Sequence, residues 1–348
     1  MDERAGAGHQ LDFLILSIMQ GEIYSVFPTS PAVHKLVIVY DLIPLLFFQT
    51  YLGNPITRVE YLSKIQELFR ADHYFAISKT VANDLALNLA IDPARITNID
   101  GGPARHAPNP KKMAAPKDFI LMPTGNDLRK NNERAIRAFD KFNIRRARKY
   151  KLLITSYFKR YQIDELSKLS DDVIFTGNIS GAELSYLYQH CAALLFPAEY
   201  EGLGMPIIEA LEYNKPVACS NIAAFREMSL SAFTYFDPYQ VDEIDAALEK
   251  VTRDPSVDQL AYKKILKKYS WTGTAKKFVD KVVSLGSKPA DNDKKKLAIF
   301  APNPSGSSVA GNFTQLVHAE LSRLSICDYY LGANSSKEKR INYLPYIT

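Results

Sequence analysis

Residues 192 to 220, AALLFPAEYEGLGMPIIEALEYNKPVACS, constrain the fold more than any other stretch of this chain. An apolar run ending at Phe196-Pro197 breaks into a polar loop at Glu199 to Gly202, resumes at Gly204 with helical spacing, and closes on the strand-like Pro216-Val217-Ala218-Cys219. Strand, loop, helix and strand in that order make the βαβ unit of a parallel sheet. The loop brings Gly202 and Gly204 to a helix N-terminus, where free backbone N–H groups and the positive end of the helix dipole can receive a phosphate or another anionic group.

Two carboxylates frame that helix, Glu201 just before it and Glu209 within it. Eight helical residues separate them by roughly 12 Å and about 80° around the axis, a spacing suited to gripping two ends of one elongated ligand. Glycosidase acid and base sit closer, at roughly 5 to 9.5 Å. The run EGLGMPIIE, with Phe-Pro before it and Pro-Val after it, resembles the Glu-seven-residues-Glu signature of retaining GT-B glycosyltransferases of glycosyltransferase family 4. The resemblance implies that Glu201 lies at the donor sugar as a catalytic group and that Glu209 binds the nucleotide ribose. It also places Gly202, Leu203, Gly204 and Met205 around the donor diphosphate.

The totals are those of an ordinary soluble globular protein. A chain of 348 residues suffices for two domains, and 47% hydrophobic with 23% charged residues is ordinary. A net charge of +5 permits attraction to anionic nucleotides or a lipid surface and is too mild for a nucleic-acid binder. Cys191, Cys219 and Cys327 have no metal-ligand spacing and read as free thiols in a reducing compartment. The opening MDERAGAGHQ is no secretory signal. The longest apolar stretch, Leu36 to Phe48, is interrupted by Asp41 and Pro44 and falls short of the ~20 residues of a membrane span. A cytoplasmic protein is expected, with room for peripheral contact at the inner face of the plasma membrane.

Strands are expected at residues 11–18 and 35–41, the second ending in Tyr40-Asp41-Leu42-Ile43-Pro44. Ligands of open α/β sheets bind at such carboxyl ends. This segment is similar to the family's His-Asp-Leu-Ile-Pro, which implies a donor-side role for Tyr40 and a catalytic one for Asp41. Tyr40 stands where many relatives carry His. Residues 58–70 are amphipathic, with Val59, Leu62, Ile65, Leu68 and Phe69 on a face assigned to the core. Ser78 is placed to cap a helix over 79–89, and residues 95–99 make one more strand.

Past the proline- and glycine-bearing segment 103–117, a strand at 119–122 leads into Gly125-Asn126-Asp127-Leu128-Arg129-Lys130-Asn131. Arg129 and Lys130 at a helix start are placed to neutralise a diphosphate. The segment resembles the family's glycine and Arg-Lys-Asn loop, which implies donor binding by Lys130, Arg129 and Gly125. Strand 173–176 ends in Gly177-Asn178, where the resemblance places the nucleobase, beside Asn178. Ser180 and Glu183 form a capping box. The basic run KFNIRRARKYK, 141–151, reads as a solvated helix end. Tyr269-Ser270-Trp271 resembles the family's entry to a helix that crosses back to the first domain.

The expected architecture is α/β: two Rossmann-like, doubly wound domains facing a cleft, the N-terminal one incomplete. The divisions are an acceptor-side domain at 1–102, a linker at 103–117, a donor-binding domain with the crossing helix at 118–286, and a linker at 287–296. Residues 297–348 then either begin a second transferase domain, the reading we favour, or fold back to complete the first. Gly306 to Gly311 has P-loop glycine spacing without the Lys that follows in a P-loop. The resemblance implies retaining transfer of a sugar from a nucleoside diphosphate sugar, with GDP-mannose as first guess, to a glycan or lipid-linked glycan of a surface polysaccharide such as O-antigen. It implies neither cofactor nor metal and no nucleic-acid partner. The alternative is a nucleotide-sugar-binding scaffold, or an inactive fragment of a tandem transferase.

Overall fold

A computed structural model describes residues 13–16, 27, 33–103, 109–147, 149–285, 295–300 and 327–332. The opening decapeptide, the loop Gly306 to Gly311 and most of the linker at 287–296 lie outside the described residues. The chain divides into two compact units, one of residues 1–101 with 271–348 and the other of residues 102–270.

In the first unit six parallel strands run in the order Cys327–Gly332, Lys295–Phe300, Phe13–Leu16, His34–Val39, His73–Ala76, Ile96–Asn98. Leu36 to Val39 are all buried, as parallel strands covered on both faces must be. Lys295–Phe300 pairs with Phe13–Leu16, and Cys327–Gly332 pairs with Lys295–Phe300, so these two strands lie on the first sheet and not apart from it. The helix Trp271–Leu285, assigned from sequence to the donor-binding domain, groups with the first unit. Phe278 packs on Phe75 with ring centroids 4.5 Å apart. Thr274 Oγ1 donates to the Asp100 carbonyl at 2.6 Å, and Lys277 is ion-paired with the buried Asp100 carboxylate.

Helix termini follow their local sequence. Ser78 Oγ accepts from the Val81 N–H at 3.1 Å and caps Lys79–Leu89. Asn54 caps Pro55–Phe69, its side chain accepting from the Ile56 N–H at 2.8 Å. That helix corrects one expectation: Ile65 and Leu68 are buried with Tyr61, whereas Val59, Leu62 and Phe69 are exposed, at 64%, 39% and 51%. The helix buries the stripe through positions 61, 65 and 68, a different face from the one assigned.

His73 supplies a pH dependence. It is buried on the strand His73–Ala76, with Nε2 2.8 Å from Thr97 Oγ1. Burial, helped by Lys281 and Arg95, depresses its pKa from 6.5 to about 4. The unfolded chain therefore takes up this proton near pH 6.5, while the folded chain resists it until about pH 4. Stability from this group is present above pH 6.5 and is lost as pH falls through 4, up to about 3 kcal/mol. Urea midpoints of the wild type should fall between pH 7 and 4, and His73→Gln should flatten that slope. An equal slope in both proteins would assign the effect to other groups.

The second unit is another six-stranded parallel sheet, ordered Thr234–Phe236, Val217–Ser220, Ala193–Phe196, Phe119–Pro123, Lys151–Thr155, Val173–Gly177. The chain enters at Phe119–Pro123, builds two strands outward to one side, then crosses to Ala193–Phe196 and builds outward to the other. Those two neighbouring strands mark the topological switch point, where loops leaving the carboxyl ends of a doubly wound sheet open a crevice. The core beneath it includes Met122, Phe139, Phe142, Leu152, Leu195 and Leu248.

The basic run beginning at Lys141 has specific partners. Lys141 pairs with Asp242 at 2.6 Å, Arg145 with Asp245 at 2.6 Å and Arg146 with Glu249 at 2.8 Å. These ion pairs tie the helix Asn132–Ile144 and the turn after it to the acidic face of Val241–Arg253. Among the described residues no helix is long and apolar enough to cross a membrane.

Candidate active site

At the switch point the loop after Phe119–Pro123 and the loop after Ala193–Phe196 close on each other through charge. Leu128–Lys130 is a single 3-10 turn opened by Asp127, whose side chain accepts from the Arg129 N–H at 3.0 Å. The basic pair thus precedes the helix Asn132–Ile144 by a turn instead of lying in its first turn as the sequence suggests. Glu201 Oε1 accepts from both members, from Arg129 Nη1 at 2.7 Å and Lys130 Nζ at 2.5 Å. All three side chains are largely shielded, between 13% and 17% exposed. Lys130 Nζ also lies 5.3 Å from the centre of the Phe196 ring, and Arg129 Nη1 donates to the Tyr200 carbonyl at 2.8 Å.

A second layer fixes those loops. Asn131 adopts a left-handed backbone, φ 59°, and is buried. Its side-chain amide donates to the carbonyls of Pro197 at 3.2 Å and Pro238 at 2.6 Å. Arg134 Nη1 donates to Glu199 Oε1 at 2.7 Å and Asn131 Oδ1 at 2.9 Å, with its guanidinium 5.3 Å from the Tyr239 ring centre. The Glu199 N–H donates to the Arg129 carbonyl at 2.7 Å. Sequence reading assigned no role to Arg134 or Glu199. Their partners lie 65 residues apart, and the cue was two opposite charges flanking segments already read as adjacent strand ends.

Gly204 opens the helix Met205–Glu212 with φ 102° and ψ 52°. No side chain caps that helix; Pro206 carries no N–H and the Ile207 N–H donates to the Gly204 carbonyl at 3.1 Å, so within its first turn the Met205 N–H is the donor placed to meet an anion. Gly202, Leu203 and Gly204 are buried, and Met205 is half-buried. Gly125 is less constrained, because a Cβ there would meet only Ser156 Oγ, at 3.9 Å; its carbonyl accepts from the Asn132 side-chain amide at 2.8 Å. Asn178 is exposed at the carboxyl end of Val173–Gly177, next to the Ser156 and Gly177 bridge.

Glu209 faces inward from Met205–Glu212, only 4% exposed, and its Oε2 accepts from the Tyr188 hydroxyl at 2.7 Å. Burial and then the Glu209 charge push the Tyr188 phenol far above its ordinary pKa, so at neutral pH it is a donor. Tyr40 and Asp41 belong to the first unit. Tyr40 is buried, and Asp41 Oδ1 accepts from the Ile43 N–H at 3.0 Å, forming the turn that starts the next helix. Among the described residues no group of three or more His, Cys, Asp or Glu is arranged to hold a metal ion. Cys191 and Cys219 are free and buried.

Residues 107–269, which contain this constellation, match the family Glycosyl transferases group 1. The chain is 28% identical over 286 residues to the serotype-specific mannosyltransferase WbdA of Escherichia coli, covering 75% of this chain and 35% of WbdA. It therefore spans about a third of that relative's length. With the O-antigen chain mannosyltransferase RfbU of Salmonella typhimurium it shares 26% identity over 64% of this chain and 62% of RfbU. Among solved structures, sucrose-phosphate synthase from Thermosynechococcus elongatus superposes with a TM-score of 0.56 at 17% identity, over 72% of this chain and 67% of that one. The fold is that of the GT-B glycosyltransferases.

Proposed function

From the group 1 glycosyltransferase domain at residues 107–269, we propose that the chain transfers a hexose from a nucleoside diphosphate sugar to a glycan or lipid-linked glycan during surface polysaccharide assembly. The observation that carries this reading is the convergence of Arg129 and Lys130 on Glu201, beside the uncapped helix start at Gly204. Two cations and a set of backbone donors in a shielded crevice suit the negative charge that grows on a departing diphosphate. They supply the stabilisation for which other transferases recruit a divalent cation, so the reaction is read as metal-independent. Glu201 supports the sugar near its anomeric carbon, Glu209 holds the ribose, and Asn178 lies by the base. The names of the mannosyltransferase relatives support mannose as the sugar; GDP as its carrier and retention of anomeric configuration are carried only by the family resemblance of the sequence motifs.

The test is donor binding and slow donor hydrolysis in EDTA with GDP, UDP, ADP and dTDP sugars. One donor should bind saturably, and Lys130→Ala and Glu209→Ala should each weaken it by about tenfold or more. Saturable binding with no hydrolysis, and no transfer to any glycan, would favour the scaffold reading. Absence of binding by every donor would leave only the fold in common with transferases.

A further inference from the structure

The helix Gln259–Lys268 sorts its residues into two opposed faces. Tyr262 and Ile265 are buried, and the Tyr262 hydroxyl donates to the Lys215 carbonyl at 3.0 Å. On the other side Leu260, Lys263, Lys264 and Lys267 fall within an arc of about 100°. All four are exposed, Leu260 at 65%. The helix itself contains no acidic residue. Among the described residues Lys263, Lys264 and Lys267 form no ion pair, whereas Lys268 is bonded to the Tyr269 hydroxyl at 2.9 Å. Asp254 and Asp258, the acids just before the helix, accept from the backbone N–H groups of Ser256 at 3.1 Å and Ala261 at 2.9 Å.

Two ordinary accounts leave this face unexplained. The basic run beginning at Lys141 is neutralised by Asp242, Asp245 and Glu249, and this one has no such acidic helix against it. The helix dipole favours lysines in the last turn. That covers Lys267 and Lys268, but neither Lys263 and Lys264 nor a leucine set among them. A cationic face with one apolar side chain in its middle matches a surface offering both diffuse negative charge and somewhere to bury the leucine. An anionic bilayer offers both, while a polyphosphate or the phosphate backbone of a nucleic acid offers the charge alone. Lysine point charges also suit a fluid array of head groups, where no fixed phosphate calls for the planar fork of arginine.

We propose that the outer face of Gln259–Lys268 is a docking surface for an anionic lipid bilayer, with the lysines at the head groups and Leu260 entering between them. The apolar face of this helix already serves the protein core, so the attachment is adsorption and not insertion of the helix. Each lysine should contribute about fivefold to binding and the three together about a hundredfold. Leu260 should add about fivefold. The inference is independent of the donor-site reading, because vesicle binding requires neither nucleotide nor transfer.

The test is cosedimentation of the full chain with vesicles of phosphatidylcholine alone, or with about 30% phosphatidylglycerol, in about 0.1 M salt. The wild type should favour the anionic vesicles by about a hundredfold and lose that preference in about 1 M salt. A Lys263→Gln, Lys264→Gln, Lys267→Gln triple variant should show no preference, and Leu260→Ser should bind the anionic vesicles about fivefold more weakly. Because both vesicle types are measured on one preparation, their ratio cancels any loss of folded protein. A wild type that binds both vesicles equally, or neither, would overturn the inference, as would a triple variant that keeps its preference. Unchanged binding by Leu260→Ser, or lysine-dependent binding to polyuridylate without binding to vesicles, would assign the face to another polyanion and overturn it as well.

Discussion

Glu201→Gln is expected to lower sugar transfer by about a thousandfold and, in the same protein, to tighten nucleoside diphosphate binding by about tenfold. The two effects have one origin. Glu201 Oε1 accepts from Arg129 Nη1 at 2.7 Å and Lys130 Nζ at 2.5 Å. Under the proposed function, a diphosphate arriving at those cations would compete with the carboxylate, and the carboxylate it displaces would be released to face the sugar. Removing the charge takes the Glu201 carboxylate from two largely shielded cations, with Asp127 3.7 Å from Arg129 Nε remaining, and a site with that much less negative charge should bind an external anion more tightly. The same substitution removes the negative group proposed to support positive charge at the anomeric carbon. Steady-state transfer and calorimetric titration with GDP and UDP on wild type, Glu201→Gln and Lys130→Ala would separate the contributions. Lys130→Ala should weaken nucleotide binding. If Glu201→Gln weakened nucleotide binding in step with turnover, Glu201 would be a brace between the two loops and not an exchangeable counter-ion.

Such an exchange would suit a shielded cluster. A surface pair of this kind contributes roughly 0 to 1 kcal/mol, whereas Glu201 and its partners are each under a fifth exposed, where leaving one charge alone is expensive. In the proposed function the carboxylate would keep the cations compensated until a phosphate replaced it. Asn131 and Arg134 matter here because they anchor the carbonyls of Pro197 and Pro238 and the Glu199 carboxylate, so the loop frame is held by bonds that do not involve Glu201.

Much of this frame was legible in the sequence because its causes are local. Apolar runs bounded by glycine, proline or a cap residue located the strand Phe119–Pro123 and the caps at Ser78 and Ser180. The glycines and acids of residues 201–209 fixed the helix start and the two carboxylates by spacing alone. What stayed hidden depends on residues far apart in the chain. The partners of Asn131 lie 66 and 107 residues away, and the acids opposite the basic run lie about a hundred residues on. Helical periodicity shows that residues 55–69 have two faces. It does not say which of them meets a sheet built partly from Lys295–Phe300 and Cys327–Gly332. The helix Trp271–Leu285, read from the sequence as crossing back to the first domain, contacts Phe75 and Asp100, partners that its own sequence does not name.

Gly204→Ala should cause the largest loss of stability of any single methyl addition at the site. Gly204 has φ 102°, a region that non-glycine residues occupy at a cost of about 1 to 3 kcal/mol. The added Cβ would lie 2.6 Å from Phe225 Cε1, 3.0 Å from Cδ1 and 3.4 Å from Met228 Cε. Phe225 cannot move aside, since it is fully buried and packs on Phe196 with centroids 5.3 Å apart, and Phe196 is the ring beneath Lys130. Overpacking adds about another 1 to 3 kcal/mol. A total near 3 kcal/mol should lower the thermal midpoint of this unit by about 6 to 12 °C. Gly181→Ala is the control: nothing lies within 4 Å of its Cβ and its backbone is ordinary, so its midpoint should hold or rise slightly. The strain also predicts a functional effect below the midpoint. Relief of the clash must displace either the helix start or the Phe225 ring, and both border the proposed diphosphate site. Folded Gly204→Ala should therefore bind GDP or UDP at least about tenfold more weakly, while Gly181→Ala binds as the wild type does. If Gly204→Ala unfolded within about 2 °C of the wild type, the tight turn would be adaptable, and the backbone N–H groups at residues 202 to 205 would not be the rigid anion receptor on which the electrostatic mechanism depends.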